Sequence, residues 1–121
     1  MILIDTSVWI DHLRQREEAV EFLVRRKRVL VHPFVIGEVA LGTMKQYDQI
    51  LDALSSLPQA TVAGRHEVLY LVKQHALMGS GIGYVDAHLL ASTKLADGSR
   101  LLTRDKRLAK IATALGIGYE P

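Results

Sequence analysis

Short apolar runs alternate with longer segments of helical spacing along the whole of this 121-residue chain. The run Ile2-Leu3-Ile4 is a candidate strand, whereas residues 66–77 place apolar side chains three and four positions apart, as on one face of a helix. Strands that alternate with helices favour a parallel sheet covered by helices. Because no repeat, low-complexity tract or linker-like segment breaks the pattern, the sequence predicts one α/β/α domain over residues 1–121, with a short, mostly parallel central sheet.

Helix-capping and helix-breaking residues set the expected boundaries of these elements. Thr6 or Ser7 offers a hydroxyl that would cap the first helix, Pro33 fits the first turn of another, and Gly42 ends it. A glycine-rich loop is predicted at 79–83, before a strong helix. Strands are predicted at 2–4, 29–31, 101–103 and 117–119, and helices from residue 6 or 7 and at 17–26, 33–41, 45–54, 66–77, 84–96 and 105–115.

Composition narrows the class of protein. Hydrophobic residues make up 49 % of the chain, which is enough for a core and argues against disorder. The chain has no cysteine, so disulfides, thiolate nucleophiles and cysteine-rich zinc sites are excluded, and a reducing compartment is expected. No apolar stretch approaches the roughly 18 residues that suggest a membrane span. We therefore expect a soluble, cytoplasmic protein with no membrane partner.

Four acidic residues lie where predicted core elements begin, end or pack. Asp5 follows the first apolar run, Asp86 lies in the first turn of a predicted helix, and Asp105 follows the predicted strand 101–103. Glu38 is expected inside a helix. A carboxylate beside core residues is costly to bury unless positive charge compensates it. Since ligands of open α/β sheets bind beyond the carboxyl ends of the strands, the three strand-end or helix-start acids could share one crevice.

Carboxylates that share a crevice need a cation between them. Two of them about 4 Å apart repel by about 4 kcal/mol at an effective dielectric constant of 20. Mg²⁺ and Mn²⁺ prefer oxygen ligands, activate water, and stabilise the attacking and leaving oxygens of a phosphodiester. Such chemistry requires no histidine, serine or cysteine nucleophile. For any single acid, the alternative is a helix cap or a favourable contact with the helix dipole.

Basic residues are clustered, although the formal net charge is only +2. One block covers residues 25–28, where cations would also suit the C-terminal end of a helix. A second cluster surrounds Asp105 and consists of Arg104, Lys106, Arg107 and Lys110. Because this cluster flanks the candidate metal site, we expect Arg104, Lys106 and Arg107 to contact phosphate groups of a nucleic acid.

Around each of the four acids, the local sequence resembles the PIN-domain ribonucleases, specifically the VapC-type toxins of bacterial VapBC toxin–antitoxin pairs. The similar segments occur in the family's order and are residues 2–11, 35–42, 83–92 and 101–108. Together they span nearly the whole chain. The resemblance implies a PIN-like fold and Mg²⁺- or Mn²⁺-dependent endoribonuclease activity. It also implies an RNA substrate, inhibition by a cognate VapB-type antitoxin, and a homodimer.

The same resemblance assigns roles to residues. Asp5, Glu38, Asp86 and Asp105 would form the catalytic metal site, and the hydroxyls of Thr6 and Thr103 would support it. In the mechanism that we expect, Asp5 and Asp86 are the principal metal ligands, and Glu38 completes the set or orients the water. Asp105 supports a second cation or its waters, either by direct coordination or through a water.

Two other functions remain open from the sequence. The chain could be a catalytically inactive PIN-fold module that binds RNA or protein. A phospho-acceptor receiver domain also gathers acids around magnesium, but it requires a pair of acids before a strand exit and a lysine late in the sheet, and neither is clear here. The five histidines form no metal-ligand pattern and are expected to be structural or on the surface.

Overall fold

The computed structural model describes all residues from 1 to 121. Its centre is a three-stranded sheet of β1 (Ile2–Ile4), β2 (Val29–Leu30) and β3 (Arg100–Leu102), in the order β2-β1-β3 with both pairings parallel. Ile2 pairs with Val29 on one side and with Arg100 on the other. The three residues of the central strand are buried because neighbouring strands and helices cover them on every side.

Seven helices surround this sheet. They are α1 (Thr6–Arg14), α2 (Glu18–Arg25), α3 (Pro33–Ala40), α4 (Tyr47–Ser56), α5 (Arg65–Gln74), α6 (Tyr84–Leu95) and α7 (Lys106–Ala114). The predicted α/β architecture is confirmed, and each predicted helix is present with ends that differ by up to three residues. None of the seven is both long enough and apolar enough to cross a membrane.

Four local predictions are wrong, and one of them is the end of the predicted strand 101–103, since β3 ends at Leu102 and Thr103 lies outside it. The first helix is capped by Asp5, whose side chain accepts the backbone N–H of Thr6, so neither hydroxyl is the cap. The predicted strand 117–119 is a single parallel bridge between Gly118 and Leu101, because the chain leaves the sheet after two backbone hydrogen bonds. Val31 likewise falls outside β2, since it bridges to Gln59 instead of to β1.

One continuous hydrophobic core joins the sheet to the helices. It includes the central strand, Trp9 of α1, and Leu89 and Leu90 of α6, all buried. Helices α6 and α7 both pack against β3. Since the three strands run in the same direction, the segments that follow them emerge at one edge of the sheet. The starts of α1, α3 and α7 therefore lie at this edge.

Candidate active site

Asp5 is the most buried acid at this edge, with 5 % of its surface exposed. Its backbone N–H donates to the carbonyl oxygen of Leu102 at 2.9 Å, which fixes the residue between β1 and β3. The carboxylate accepts three hydrogen bonds: Oδ1 from the Thr6 N–H at 2.7 Å, and Oδ2 from Ser7 Oγ at 2.9 Å and Thr103 Oγ1 at 2.7 Å. These donors partly replace the water that the ionised carboxylate loses on burial.

The turn between β3 and α7 contributes both Thr103 and Asp105. The Thr103 hydroxyl donates to Asp5 and accepts the Asp105 N–H at 3.1 Å, so one side chain links the two acids. Asp105 is the N-cap of α7, and its Oδ1 accepts the Leu108 N–H at 2.9 Å. The helix-cap alternative therefore holds for this residue, but its second carboxylate oxygen accepts no hydrogen bond from the protein.

Glu38 reaches the same edge from inside α3. Its side chain is exposed, and Oε1 accepts the Thr6 hydroxyl at 2.6 Å. Thr6 thus donates through its backbone to Asp5 and through its side chain to Glu38. A single residue at the start of α1 therefore orients two of the four acids.

Asp86 lies in the first turn of α6, where its Oδ2 accepts the Gly83 N–H at 3.0 Å. Burial raises the pKa of Asp86, and the negative charges of Asp5, Asp105 and Glu38 raise this pKa further. The hydrogen bond from Gly83 acts in the opposite direction. Asp86 is therefore close enough to all three other acids to feel their charge, and the four carboxylates share one electronegative region.

The donor set of this region suits a hard divalent cation. All four candidate ligands are carboxylates, and one oxygen each of Glu38, Asp86 and Asp105 accepts no hydrogen bond from the protein. Oxygen-rich sites of this kind favour Mg²⁺ or Mn²⁺. Nevertheless, no group of three acidic or histidine side chains is arranged closely enough to hold an ion as it stands. Mg²⁺ is usually held by one or two carboxylates together with several waters, so the unpaired oxygens of these acids fit an ion that keeps part of its hydration shell.

The basic residues beside Asp105 differ in their surroundings. Arg104 is bound to two acids, with its guanidinium contacting Asp11 and Glu17. Lys106 and Arg107 are exposed and form no ion pair, although the Arg107 side chain lies against the backbone of Gly81. Lys106 and Arg107 are thus available to an anionic ligand, whereas Arg104 is already occupied.

Sequence reasoning did not single out Ser7, Asp11 or Glu17 as site residues. Ser7 donates to Asp5 and accepts the Arg104 N–H at 3.2 Å, so it connects α1 to the β3–α7 turn. Its position two residues after a strand-end acid was an available signal, since a serine so placed can reach the preceding carboxylate. Asp11 and Glu17 gave no local signal, because their partner lies 93 and 87 residues away.

Comparisons with known proteins indicate a family and a fold. Residues 2–114 match the family model described as PIN domain. Ribonuclease VapC32 of Mycobacterium tuberculosis, from strains CDC 1551 / Oshkosh and ATCC 25618 / H37Rv, is 48 % identical over 117 residues, covering 97 % of this chain and 94 % of the relative. A crystal structure of PAE2754 from Pyrobaculum aerophilum superposes with a TM-score of 0.63 at 18 % identity, over 90 % of this chain and 82 % of the other. At that identity, the structural likeness supports the fold alone.

Proposed function

We propose that this chain, which belongs to the PIN-domain family and within it to the VapC-type ribonucleases, is an endoribonuclease toxin that hydrolyses RNA phosphodiester bonds with Mg²⁺ or Mn²⁺. The observation that carries the proposal is the hydrogen-bonded linkage of Asp5 to Glu38 through Thr6 and to Asp105 through Thr103. The charges of these three acids also raise the pKa of Asp86, after the larger effect of its burial. Four carboxylates at the exit edge of a parallel sheet fit a site for a divalent cation and a phosphate.

Each acid has a proposed part in the reaction. Asp5 and Asp86 hold the principal ion, since both are partly or fully buried and oriented by backbone donors. Glu38 is more exposed and either completes the ligand set or orients the attacking water. Asp105 supports a second ion or its waters through its free oxygen. When bound, the ion lowers the pKa of water and offsets negative charge on the phosphate.

Hydroxyl groups keep these acids in place. Thr103 and Ser7 donate to one oxygen of Asp5, and Thr6 donates to Glu38. Such supporting contacts hold ligands in their working orientation and are typically worth 10- to 100-fold in metal affinity or activity. A metal-activated water would attack phosphorus directly, so none of these hydroxyls is needed as a nucleophile. The reaction needs no 2′-hydroxyl, and preference for RNA has to come from binding.

The proposed partners rest on the resemblance to the VapC-type toxins and on the surface of this chain. The RNA backbone is contacted by Lys106 and Arg107, which have no acidic partners. A VapB-type antitoxin inhibits the enzyme in the cytoplasm, and the active form is a homodimer. Apolar side chains near α3 are available for such protein contacts, most clearly Leu41, which is 89 % exposed.

Cleavage of structured RNA by the purified protein tests the proposal. We expect products with 5′-phosphate ends in Mg²⁺ or Mn²⁺ and none in excess chelator. Asp5→Asn should lower the cleavage rate more than about 100-fold, the upper end for residues that only support a metal ligand. Asp52→Asn is the matched control, because Asp52 is an exposed acid on α4 whose side chain makes no hydrogen bond.

The outcomes separate an enzyme from a binding module. Undiminished cleavage by the Asp5→Asn preparation would show that a contaminating nuclease is responsible or that Asp5 is not a ligand. A wild-type protein that binds RNA but releases no 5′-phosphate product with either ion would be a binding module. Thermal stabilisation by metal alone does not distinguish the two, since any ligand of the folded state raises the apparent stability.

A further inference from the structure

The β3–α7 turn, residues 103–105, carries two residues of the proposed site and is held to α1 through Arg104. The Arg104 backbone N–H donates to Ser7 Oγ, the same hydroxyl that donates to Asp5. The Arg104 side chain binds Asp11 of α1 and Glu17, which lies just before α2. Backbone and side chain of one residue therefore join the turn to α1 at two separate points.

The guanidinium contacts are those of a specific ion-pair network. Nη1 lies 2.6 Å from Asp11 Oδ2 and 2.6 Å from Glu17 Oε2, and Nη2 donates to Glu17 Oε1. Arg104 and Glu17 thus form a bidentate pair, the geometry in which arginine is most selective. Glu17 is itself fixed, because its backbone N–H donates to His12 Nδ1 at 3.0 Å.

Charge around Arg104 argues against a direct role in binding phosphate. Hydrogen bonds to Glu17 and then to Asp11 raise the pKa of the guanidinium, so it stays protonated, and two carboxylates surround its single positive charge. An RNA phosphate would have to displace these carboxylates and would meet their repulsion. Lys106 and Arg107, in the same stretch of sequence, face no such competition.

We infer that Arg104 is a positioning residue: with Asp11 and Glu17 it forms a clamp that holds Thr103 and Asp105 at the metal site, and it does not bind the RNA backbone. This inference rests on the proposed function, since it concerns the same site. It revises the role that sequence position favoured for Arg104. The clamp is exposed, so its effect on global stability is small. A displacement of the turn by about 1 Å is nonetheless enough to slow catalysis strongly.

Arg104→Ala and Glu17→Gln test the clamp from both sides. Each should lower kcat about tenfold and leave KM for RNA within about twofold. The double variant should be no worse than Arg104→Ala, since the ion pair that Glu17→Gln removes is already absent when Arg104 is alanine. Calorimetry with Mn²⁺ alone should show about tenfold weaker binding. Arg104→Lys should retain part of the activity. Arg16→Ala is the control, because Arg16 pairs with Glu21 outside the site.

Salt dependence of RNA binding in chelator separates a clamp from a phosphate ligand. For a labelled single-stranded RNA oligonucleotide, the slope of log affinity against log salt should be the same for Arg104→Ala and wild type. Loss of a phosphate contact would reduce the slope by about 0.7. If Arg104 did bind phosphate, Glu17→Gln would remove one of its two competing carboxylates and tighten RNA binding, whereas we expect no tightening.

Failure of this inference can be told from failure of the proposed function. A reduced salt slope, or unchanged kcat and unchanged Mn²⁺ affinity in Arg104→Ala, overturns the clamp while the nuclease stands. A wild type that binds Mn²⁺ but cleaves no RNA overturns the nuclease, and the Mn²⁺ and salt measurements still decide the role of Arg104. A wild type that neither binds Mn²⁺ nor cleaves overturns both.

Discussion

The Asp5 carboxylate is oriented by donors from two distant parts of the chain. Thr6 and Ser7 are its neighbours in sequence, but Thr103 is 98 residues away and comes from the end of the adjacent strand. No positively charged side chain pairs with Asp5. The hydrogen bonds orient the carboxylate without neutralising it, so its negative charge remains available to a cation.

Replacing Thr103 by valine tests this orientation at the residue scale. Valine keeps the shape of threonine but removes the hydroxyl that donates to Asp5 and accepts from Asp105. We expect the cleavage rate to fall about 10- to 100-fold, as is typical for residues that support a metal ligand. Thr103→Ser keeps the hydroxyl and should stay near wild type. Equal rates for the two variants would show that the hydroxyl is dispensable.

Removing the charge of Asp86 should stabilise the metal-free protein, although Asp86 is a proposed metal ligand. Burial and the neighbouring acids raise its pKa in the folded state, so the ionised form is disfavoured by folding, and near pH 7 without metal it destabilises the protein. Asparagine can still accept the Gly83 N–H. In chelator at pH 7, Asp86→Asn should therefore raise Tm by about 2–5 °C, with stabilisation by Mg²⁺ lost. A lower Tm in chelator would contradict this.

At the scale of secondary-structure elements, three helices share one type of C-terminal turn. After α2, α5 and α7, the chain turns with a left-handed residue, which is Lys27 at φ 55°, Ala76 at φ 51° and Gly116 at φ 76°. In each case this residue and the next donate to the last turn of the helix, as in a Schellman motif. Only one of the three positions carries glycine, the residue that adopts this conformation without steric cost.

Substitutions at these ends should follow the backbone conformation. Lys27→Gly and Ala76→Gly should each raise the free energy of unfolding by about 0.5–1 kcal/mol, because relief of left-handed strain exceeds the extra entropy of the unfolded chain. Gly116→Ala should lower it by about 1 kcal/mol. Urea denaturation at pH 7 measures all three. Destabilisation by both glycine variants would mean that their side-chain contacts outweigh the strain.

The same helix ends show why sequence predicted the elements better than their boundaries. Pro33 restricts the local backbone and Gly83 ends a glycine-rich loop, and the predicted starts of α3 and α6 agree with the structure. In contrast, α4 begins late because Gln46 takes a left-handed conformation, and α5 ends early because Ala76 does. Nothing in either side chain demands this conformation, so tertiary packing decides it.

In the candidate site, the positions of the acids could be predicted from the sequence, but their hydrogen-bond partners could not. Placing Asp5, Asp86 and Asp105 near one edge needed only the direction of the strands and the position of each acid along the chain. The pairing of particular donors with particular carboxylates could not be predicted, because it depends on how β3 docks beside β1. Arg104 illustrates this limit: its place beside Asp105 suggested phosphate binding, whereas the fold brings it to Asp11 and Glu17.

At the scale of the whole molecule, a buried histidine ties global stability to pH. His32 is fully buried at the N-cap of α3, where its Nδ1 accepts the Phe34 N–H at 3.0 Å and its Nε2 has no partner. The buried His88 of α6 lies beside it, with ring centroids 6.3 Å apart. Burial, and then the charge of His88, lowers the pKa of His32 to about 4.

Acid should therefore unfold this protein partly through His32. The folded-state pKa is about 4, below the ordinary 6.5, so the unfolded chain binds more protons between these values. The contribution to stability is complete above pH 6.5 and is lost as pH falls toward 4, by about 3 kcal/mol. Burial also lowers the pKa of His88, which therefore changes stability with pH in the same direction.

The variant His32→Asn tests this prediction, because the asparagine side-chain oxygen can still cap α3 but does not titrate. Urea unfolding at a series of pH values should give a shallower slope between pH 6.5 and 4 for this variant than for wild type or for the exposed control His66→Asn. Equal slopes in all three proteins would place the acid sensitivity in the carboxylates of the site instead.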